Sequence, residues 1–268
     1  MEEHSQIEMI KRNPRAILSM ENPTKEMMLT AVSLSGLLLE HLNNPPLDVQ
    51  EAAVAQDVRA IRYIKDPSQE MMLQTISSGW INLQYIKNPT DKVIKAAIDQ
   101  AGWAIRYVKQ PTQEQEILAV QRNFDAIKYI EQPSETVQLE AVRTSYEALR
   151  YIKNPSHNTE LEAVKHNEKA FQFVDQLTKE KIIDFLKVNL MVMKYLSNEV
   201  SKEELEEVLK SVLSQDNVDE KYVRDFIRYN TVKDSAIRRV NKLKLVYQYG
   251  STRAKKIAMD EKLKSGME

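Results

Sequence analysis

The sequence predicts an all-α protein: a right-handed α-solenoid of about nine 22-residue helix-turn-helix repeats with a C-terminal helical cap. Three observations carry this reading. Prolines stand at 23, 45, 67, 89, 111, 133 and 155, every interval being 22 residues, and a fixed period of this size marks stacked supersecondary repeats. Most of these prolines are followed by a good helix N-cap: Thr24, Ser68, Thr90, Thr112, Ser134 or Ser156. After each cap, apolar residues recur at helical spacing, as in Met72, Leu73 and Ile76 or Val137, Leu139 and Val142.

The elements follow in order. Ala16, Ile17 and Met20 occupy the slots of Ala60, Ile61 and Ile64, so a repeat precedes Pro23. In each repeat the first helix, about ten residues long, starts at its cap and carries an acidic residue early (Glu26, Glu70, Asp91, Glu114, Glu135), where the helix dipole favours it. A corner follows, marked by Gly36, Gly79 and Gly102 in three repeats. The second helix, about eight residues, reads Ala60, Ile61, Tyr63, Ile64 or Ala126, Ile127, Tyr129, Ile130. It stops because the residue before a proline is pushed out of the helical region. Pro45-Pro46 spoils one cap slot, which Asp48 can fill, so a local kink is expected there and not a break. Leu177 takes the next proline slot and Val192 to Leu196 match the end of a repeat, which extends the solenoid domain over residues 1–198. Neither helix can bury its apolar face alone, so stacked neighbours must do it.

Residues 199–268 form a C-terminal helical capping and interaction segment with a basic tail. Ser201 to Gln215 reads as a longer amphipathic helix, and Phe226, Ile227, Arg228 and Tyr229 echo the second-helix pattern. Residues 231–268 are expected to be helical at first and then to fray. They hold ten Lys/Arg and four Asp/Glu, a net of +6, which leaves -7 on the remainder of a chain whose total is -1.

With 268 residues, 42% of them hydrophobic, the chain can bury a continuous core. Zero cysteines exclude a disulfide framework and thiolate metal sites and suit a reducing compartment. No apolar run approaches the roughly 20 residues that span a bilayer, and the start MEEHSQIEMIKRN has no apolar signal region. A cytoplasmic protein without membrane contact and without a cofactor is expected. Catalytic signatures are absent: there is no phosphate-cradling glycine loop, no dinucleotide fingerprint and no nucleophile elbow. His157 and His166 lie too far apart along a helix to share a metal, so neither an enzyme nor a metal site is expected.

Stacking turns each slot into a column. The outward pair of second-helix slots reads Arg62 and Lys65, Gln84 and Lys87, Arg106 and Lys109, Lys128 and Glu131, Arg150 and Lys153, eight of ten being basic. First-helix surfaces are more acidic, with Glu70, Asp91, Glu114, Glu116, Glu135, Glu140, Glu160 and Glu162. In most solenoids the second helix lines the concave side, an analogy of fold only. The basic column could be a solvated face that suits the C-terminal end of a helix dipole, a grip on an acidic protein surface, or a track for phosphates. Tyr63, Tyr85, Tyr107, Tyr129, Tyr151 and Tyr195 form a second column. It resembles a base-stacking ladder, but its place at the flank of the buried stripe favours packing between repeats. Trp80 and Trp103, at corners of adjacent repeats, serve either the core or a binding hot spot. The candidate partner-binding set is therefore Arg62, Lys65, Lys87, Arg106, Lys109, Lys128, Arg150 and Lys153 with Trp80 and Trp103.

The repeat, clearest in PTQEQEILAVQRNFDAIKYIEQ (111–132) and PSETVQLEAVRTSYEALRYIKN (133–154), resembles short two-helix repeats of unassigned function in bacteriophage and bacterial proteins. The resemblance covers residues 14–196, implies an α-solenoid and a phage or mobile-element origin, and transfers no site residue. The expected function is a binding scaffold that recognises or sequesters a host protein. The alternative is a nucleic-acid binder that adds Arg238, Arg239, Lys242 and Lys244 to the ridge. A third reading is self-association through the C-terminal helices.

Overall fold

The computed structural model describes residues 2–196, 199–229 and 240–265. Among them lie thirteen α-helices, nine 3₁₀ helices and no strand. The chain divides into two compact units, Met1–Gln132 and Pro133–Glu268, and in each of them helical hairpins stack consecutively as an α-solenoid.

The first unit holds six repeats. Their first helices are α1 (Glu2–Arg12), α2 (Lys25–Leu34), α3 (Leu47–Gln56), α4 (Gln69–Ser77), α5 (Asp91–Gln100) and α6 (Gln113–Arg122). The second unit holds three more, beginning with α7 (Glu135–Thr144), α8 (His157–His166) and α9 (Lys179–Val188). Four helices follow: α10 (Lys202–Leu213), α11 (Glu220–Arg228), α12 (Lys242–Tyr249) and α13 (Thr252–Ser265). Within a unit each α-helix packs on that of the next repeat, and from the second repeat on the second helices do the same. The core lies between these two rows. It is built from triplets such as Met27, Ala31, Val32 or Val137, Ala141, Val142 on the α side and pairs such as Ala60, Ile61 or Ala104, Ile105 facing them.

The second helix departs from expectation. In all nine repeats it is a six-residue 3₁₀ helix, for instance Val58–Tyr63, and not an eight-residue α-helix. An extended residue precedes it (Asp57, φ -145°) and another follows it (Ile64, φ -88°, ψ 127°), whose N–H reaches the Ile61 carbonyl at 3.1 Å. Six residues at about 2.0 Å each span roughly 12 Å, close to the roughly 15 Å of a ten-residue α-helix. The tighter helix thus matches the length of its partner with fewer residues, and both rows stack in step.

The capping logic holds with local exceptions. The hydroxyls of Thr24, Ser68, Thr112, Ser134 and Ser156 accept from the backbone N–H three residues on, as does Thr178 after Leu177. Thr90 instead donates its hydroxyl to Gln69 Oε1 at 3.2 Å. At α3 the N-cap is Pro46 and no side chain caps the helix; Asp48, expected to fill the slot, lies inside the first turn and accepts only from the N–H of the next residue, Val49, at 3.1 Å. The residue before the proline slot takes a left-handed backbone at Asn44 (φ 48°) and Gln176 (φ 51°). These are the two repeats in which the slot is irregular, with Pro45-Pro46 in one and Leu177 in the other.

The corner is one extended residue: Asn13, Ser35, Asp57, Ala101, Asn123, Ser145, Asn167 or Asn189. In five of these the side chain caps the 3₁₀ helix, as when Asn189 Oδ1 accepts from Met191 N–H at 3.1 Å. Only Gly79 among the three expected corner glycines stands in this slot, and its φ of 144° excludes other residues without strain. Gly36 and Gly102 come one residue later. At Gly102 the reason for glycine is proximity, since an added Cβ would lie 2.1 Å from the Ala119 carbonyl oxygen of the next repeat.

The described part of the C-terminal segment is more regular than its charge suggested. Residues 230–239 and 266–268 lie outside the described residues, but where the tail was expected to fray α13 is helical from Thr252 to Ser265. It buries Ala254, Ile257, Ala258 and Glu261, one stripe at i, i+3, i+4 and i+7. Small side chains and one carboxylate hid that stripe from a hydropathy reading. Glu261 accepts from Arg224 at 2.6 Å and also from Arg228, both on α11. Tyr222 on α11 donates to the Leu186 carbonyl of α9 at 2.9 Å, tying this segment to the last repeat. The echo at Phe226 and Ile227 is buried as expected, although within α11 and not in a 3₁₀ helix.

Candidate functional site

Within the first unit the 3₁₀ helices Val58–Tyr63, Trp80–Tyr85, Gly102–Tyr107 and Phe124–Tyr129 lie side by side. Their buried positions, Ala60, Ile61, Leu83, Ala104, Ile105, Ala126 and Ile127, fix the orientation of the others. Lys65, Lys87, Arg106, Lys109 and Lys128 are exposed and Arg62 is half-buried. Arg62, Lys65, Lys87, Arg106 and Lys109 pair with no carboxylate among the described residues. Lys128 does, at 2.7 Å from Asp125. In the second unit Arg150 and Lys153 are exposed in the equivalent slots, also without a carboxylate partner among the described residues.

The tyrosine column is not an open ladder. Arg62 lays its guanidinium 4.4 Å from the ring centre of Tyr85 in the next repeat. Arg106 lies 4.9 Å from Tyr107 and 5.4 Å from Tyr129, and donates to both hydroxyls at 3.0 and 3.3 Å. Arg150 stands 5.2 Å over Phe173. Arginines in alternate repeats therefore cover the ring of the following repeat, a cation–π arrangement that holds both the charge and the ring in place. Tyr63 is tied instead to the Glu40 carboxylate, which pushes its pKa up.

Trp80 and Trp103 come together, with ring centres 6.4 Å apart. Trp80 also packs 6.3 Å from Tyr107 and lies 5.8 Å from the Arg106 guanidinium. Trp103 remains 36% exposed and donates its indole N–H to Asp125 at 2.7 Å. Asp125 is partly buried, which opposes ionisation, but Lys128 and Trp103 together hold its carboxyl below the usual range. The result is a half-exposed aromatic patch with cations on both sides.

Two expected placements change. Glu160, counted with the acidic first-helix surface, is buried at 2% exposure, its carboxylate 2.8 Å from Lys181 and 3.5 Å from His157. It shares its slot with Met72 and Ile94 but also with Gln50, Glu116 and Gln138, so the repeat register alone gives no sign of its burial. Among the C-terminal cations expected to favour nucleic acid, Arg238 and Arg239 lie outside the described residues. Lys242 turns inward to the carbonyls of Ile227, at 3.2 Å, and of Tyr229, and burial lowers its pKa. Lys244 is exposed.

His157 faces Glu160 and Asp184, whereas His166 faces Glu162. No group of three His, Cys, Asp or Glu side chains among the described residues is arranged to hold a metal ion. No helix among them is long and apolar enough to cross a membrane. Comparison with protein-family models, with curated proteins and with solved structures returns no match.

Proposed function

We propose that the protein is a non-enzymatic α-solenoid binding scaffold, of phage or mobile-element type, that recognises or sequesters a host protein through the basic face of its second helices. One observation carries this reading: five ridge cations of the first unit stand without carboxylate partners among the described residues, whereas acids elsewhere in that unit, such as Asp48 and Asp99, are paired with Lys25 and Arg122. The ridge thus keeps an excess of positive charge, which favours an acidic surface and fast encounter. Trp80 and Trp103 supply the aromatic anchors on which protein interfaces concentrate their energy.

The arginine-covered rings support a protein partner over a nucleic acid, because a base would have to displace Arg62 or Arg106 before stacking. Affinity capture from host lysate, with and without nuclease, tests the proposal. A stoichiometric protein that survives nuclease and is lost on the double reversal Lys87→Glu, Lys109→Glu is the expected result. Recovery of nucleic acid, with the protein released by nuclease, overturns it in favour of a phosphate track.

A further inference from the structure

The C-terminal helices carry a second surface that the ridge does not explain. A groove of about 510 Å³ runs between α12 and α13. Leu243, Val246, Tyr247, Ala258 and Met259 form its floor and sides. Tyr247 is 81% and Met259 60% exposed, and Leu263, near the end of α13, is 74% exposed. Helix α13 is apolar on two sides: Ala254, Ile257 and Ala258 face inward, while Met259 and Leu263 face solvent. A helix that only capped the solenoid would need the first side alone.

The charges around the groove have one sign. Lys244, Lys255 and Lys262 line it, and among the described residues no carboxylate does. Lys255 holds its ammonium 5.8 Å from the Tyr247 ring, along the wall of the groove. Glu261 in the middle of α13 is turned away, engaged by Arg224 and Arg228. We infer that this groove is a docking site for an acidic amphipathic helix of a partner protein, whose apolar side chains enter between α12 and α13 while its carboxylates meet the exposed Lys244 and Lys255.

The shape selects a helix: two helices of eight and fourteen residues with an apolar trough between them match the helix-in-groove mode, read by anchors at i, i+3 or i+4 and i+7. Their lengths of roughly 12 and 21 Å suit an occupant of about 10 to 14 residues. The charge selects the partner. A second copy docking by the same face would set lysine against lysine, which disfavours that pairing. A nucleic acid would leave the apolar floor uncovered. An anionic membrane would meet the lysines, but a recessed floor presents less apolar area to a flat surface than to a helix.

The test uses the full chain and a fluorescein-labelled 14-residue amphipathic peptide with leucines on one face and glutamates beside them. A twin peptide carries lysine for glutamate, and vesicles containing phosphatidylserine form a third arm. The acidic peptide is expected to bind at least about tenfold more tightly than its twin. Met259→Glu should remove that binding, and Lys244→Glu with Lys255→Glu should invert the preference, with helicity unchanged because all three side chains are exposed. Equal affinity for the two peptides, or insensitivity to these substitutions, overturns the inference. Vesicle binding without peptide binding reassigns the surface to membranes, and dimerisation abolished by Met259→Glu reassigns it to a second copy. Lys87→Glu with Lys109→Glu should leave peptide binding intact, so this groove and the ridge stand or fall separately.

Discussion

Replacing Gly102 by alanine is the sharpest probe of how the repeats are spaced. The added Cβ would sit 2.1 Å from the Ala119 carbonyl oxygen, 3.0 Å from the carbon of that carbonyl and 3.1 Å from Asn123 N. All three are backbone atoms, so no side chain can swing aside. Relief requires separating the 3₁₀ helix Gly102–Tyr107 from α6, which would stretch the 2.8 Å hydrogen bond from Gly102 N–H to Asn123 Oδ1. Forcing one extra carbon into a packed layer costs about 1 to 3 kcal/mol, and a clash made wholly of backbone places Gly102→Ala at about 3 kcal/mol or above. At about 3 °C per kcal/mol for a unit of this size, the melting temperature followed by circular dichroism at 222 nm should fall by roughly 10 °C. Gly79→Ala is the control. Nothing lies nearer to its Cβ than Asn82 Nδ2 at 3.9 Å, so only the φ of 144° is penalised, at about 1 to 2 kcal/mol. A Gly102→Ala protein that melts within about 1 °C of the parent, or that outlasts Gly79→Ala, would refute the argument that this close approach sets the layer spacing.

Two tyrosines in the C-terminal segment should respond oppositely to loss of their hydroxyl. Tyr222→Phe removes a buried bond to the Leu186 carbonyl and should cost about 1 kcal/mol in urea unfolding. The buried Tyr229 hydroxyl has no partner among the described residues, so Tyr229→Phe should be neutral or slightly stabilising. Acid should weaken the contact between α9 and α10. Lys179, at 2.9 Å, and the Ser201 N–H hold the Glu204 carboxyl at about 2, below its ordinary 4.5. A carboxylate whose pKa is depressed by folding contributes fully above the unfolded value and loses that contribution as pH falls through the folded one. The difference in melting temperature between the parent and Glu204→Gln should therefore shrink between pH 4.5 and 2, and a difference that stays constant there would exclude this pair as the source.

The period, the caps and the buried stripes were legible because each rests on local chemistry that recurs along the repeats. Proline excludes helix before it, Ser or Thr accepts the free N–H groups after it, and alternating alanine with larger apolar residues sets the core face. The 3₁₀ character was not legible, since in a six-residue segment such as VRAIRY periods of 3.0 and 3.6 place the same residues inward. The arginine-covered rings were hidden for another reason. Arg62 and Tyr85 are 23 residues apart, and whether they meet depends on the offset between stacked layers. Trp80 and Trp103 were legible as neighbours, but the link through Trp103 to Asp125 again crosses to the next repeat. The lysine-lined groove escaped because the buried side of α13 relies on alanines and a carboxylate, so the helix read as a charged tail.

The arginine slots also give the array a grammar of pairs. Arg62, Arg106 and Arg150 recur every 44 residues, with Gln84 and Lys128 between them, so the smallest segment that reproduces the cation–ring pattern is a doublet of repeats. Excising one 22-residue repeat from the first unit would leave the remaining caps and core triplets in register, yet would either set Arg62 beside Arg106, when the Gln84 repeat goes, or strand the Tyr129 ring, when the Arg106 repeat goes. Excising two would restore the phase. Shortened or extended versions of this chain should therefore be built in steps of 44 residues, and a duplication that arose by single repeats would have needed a later substitution to recover the alternation.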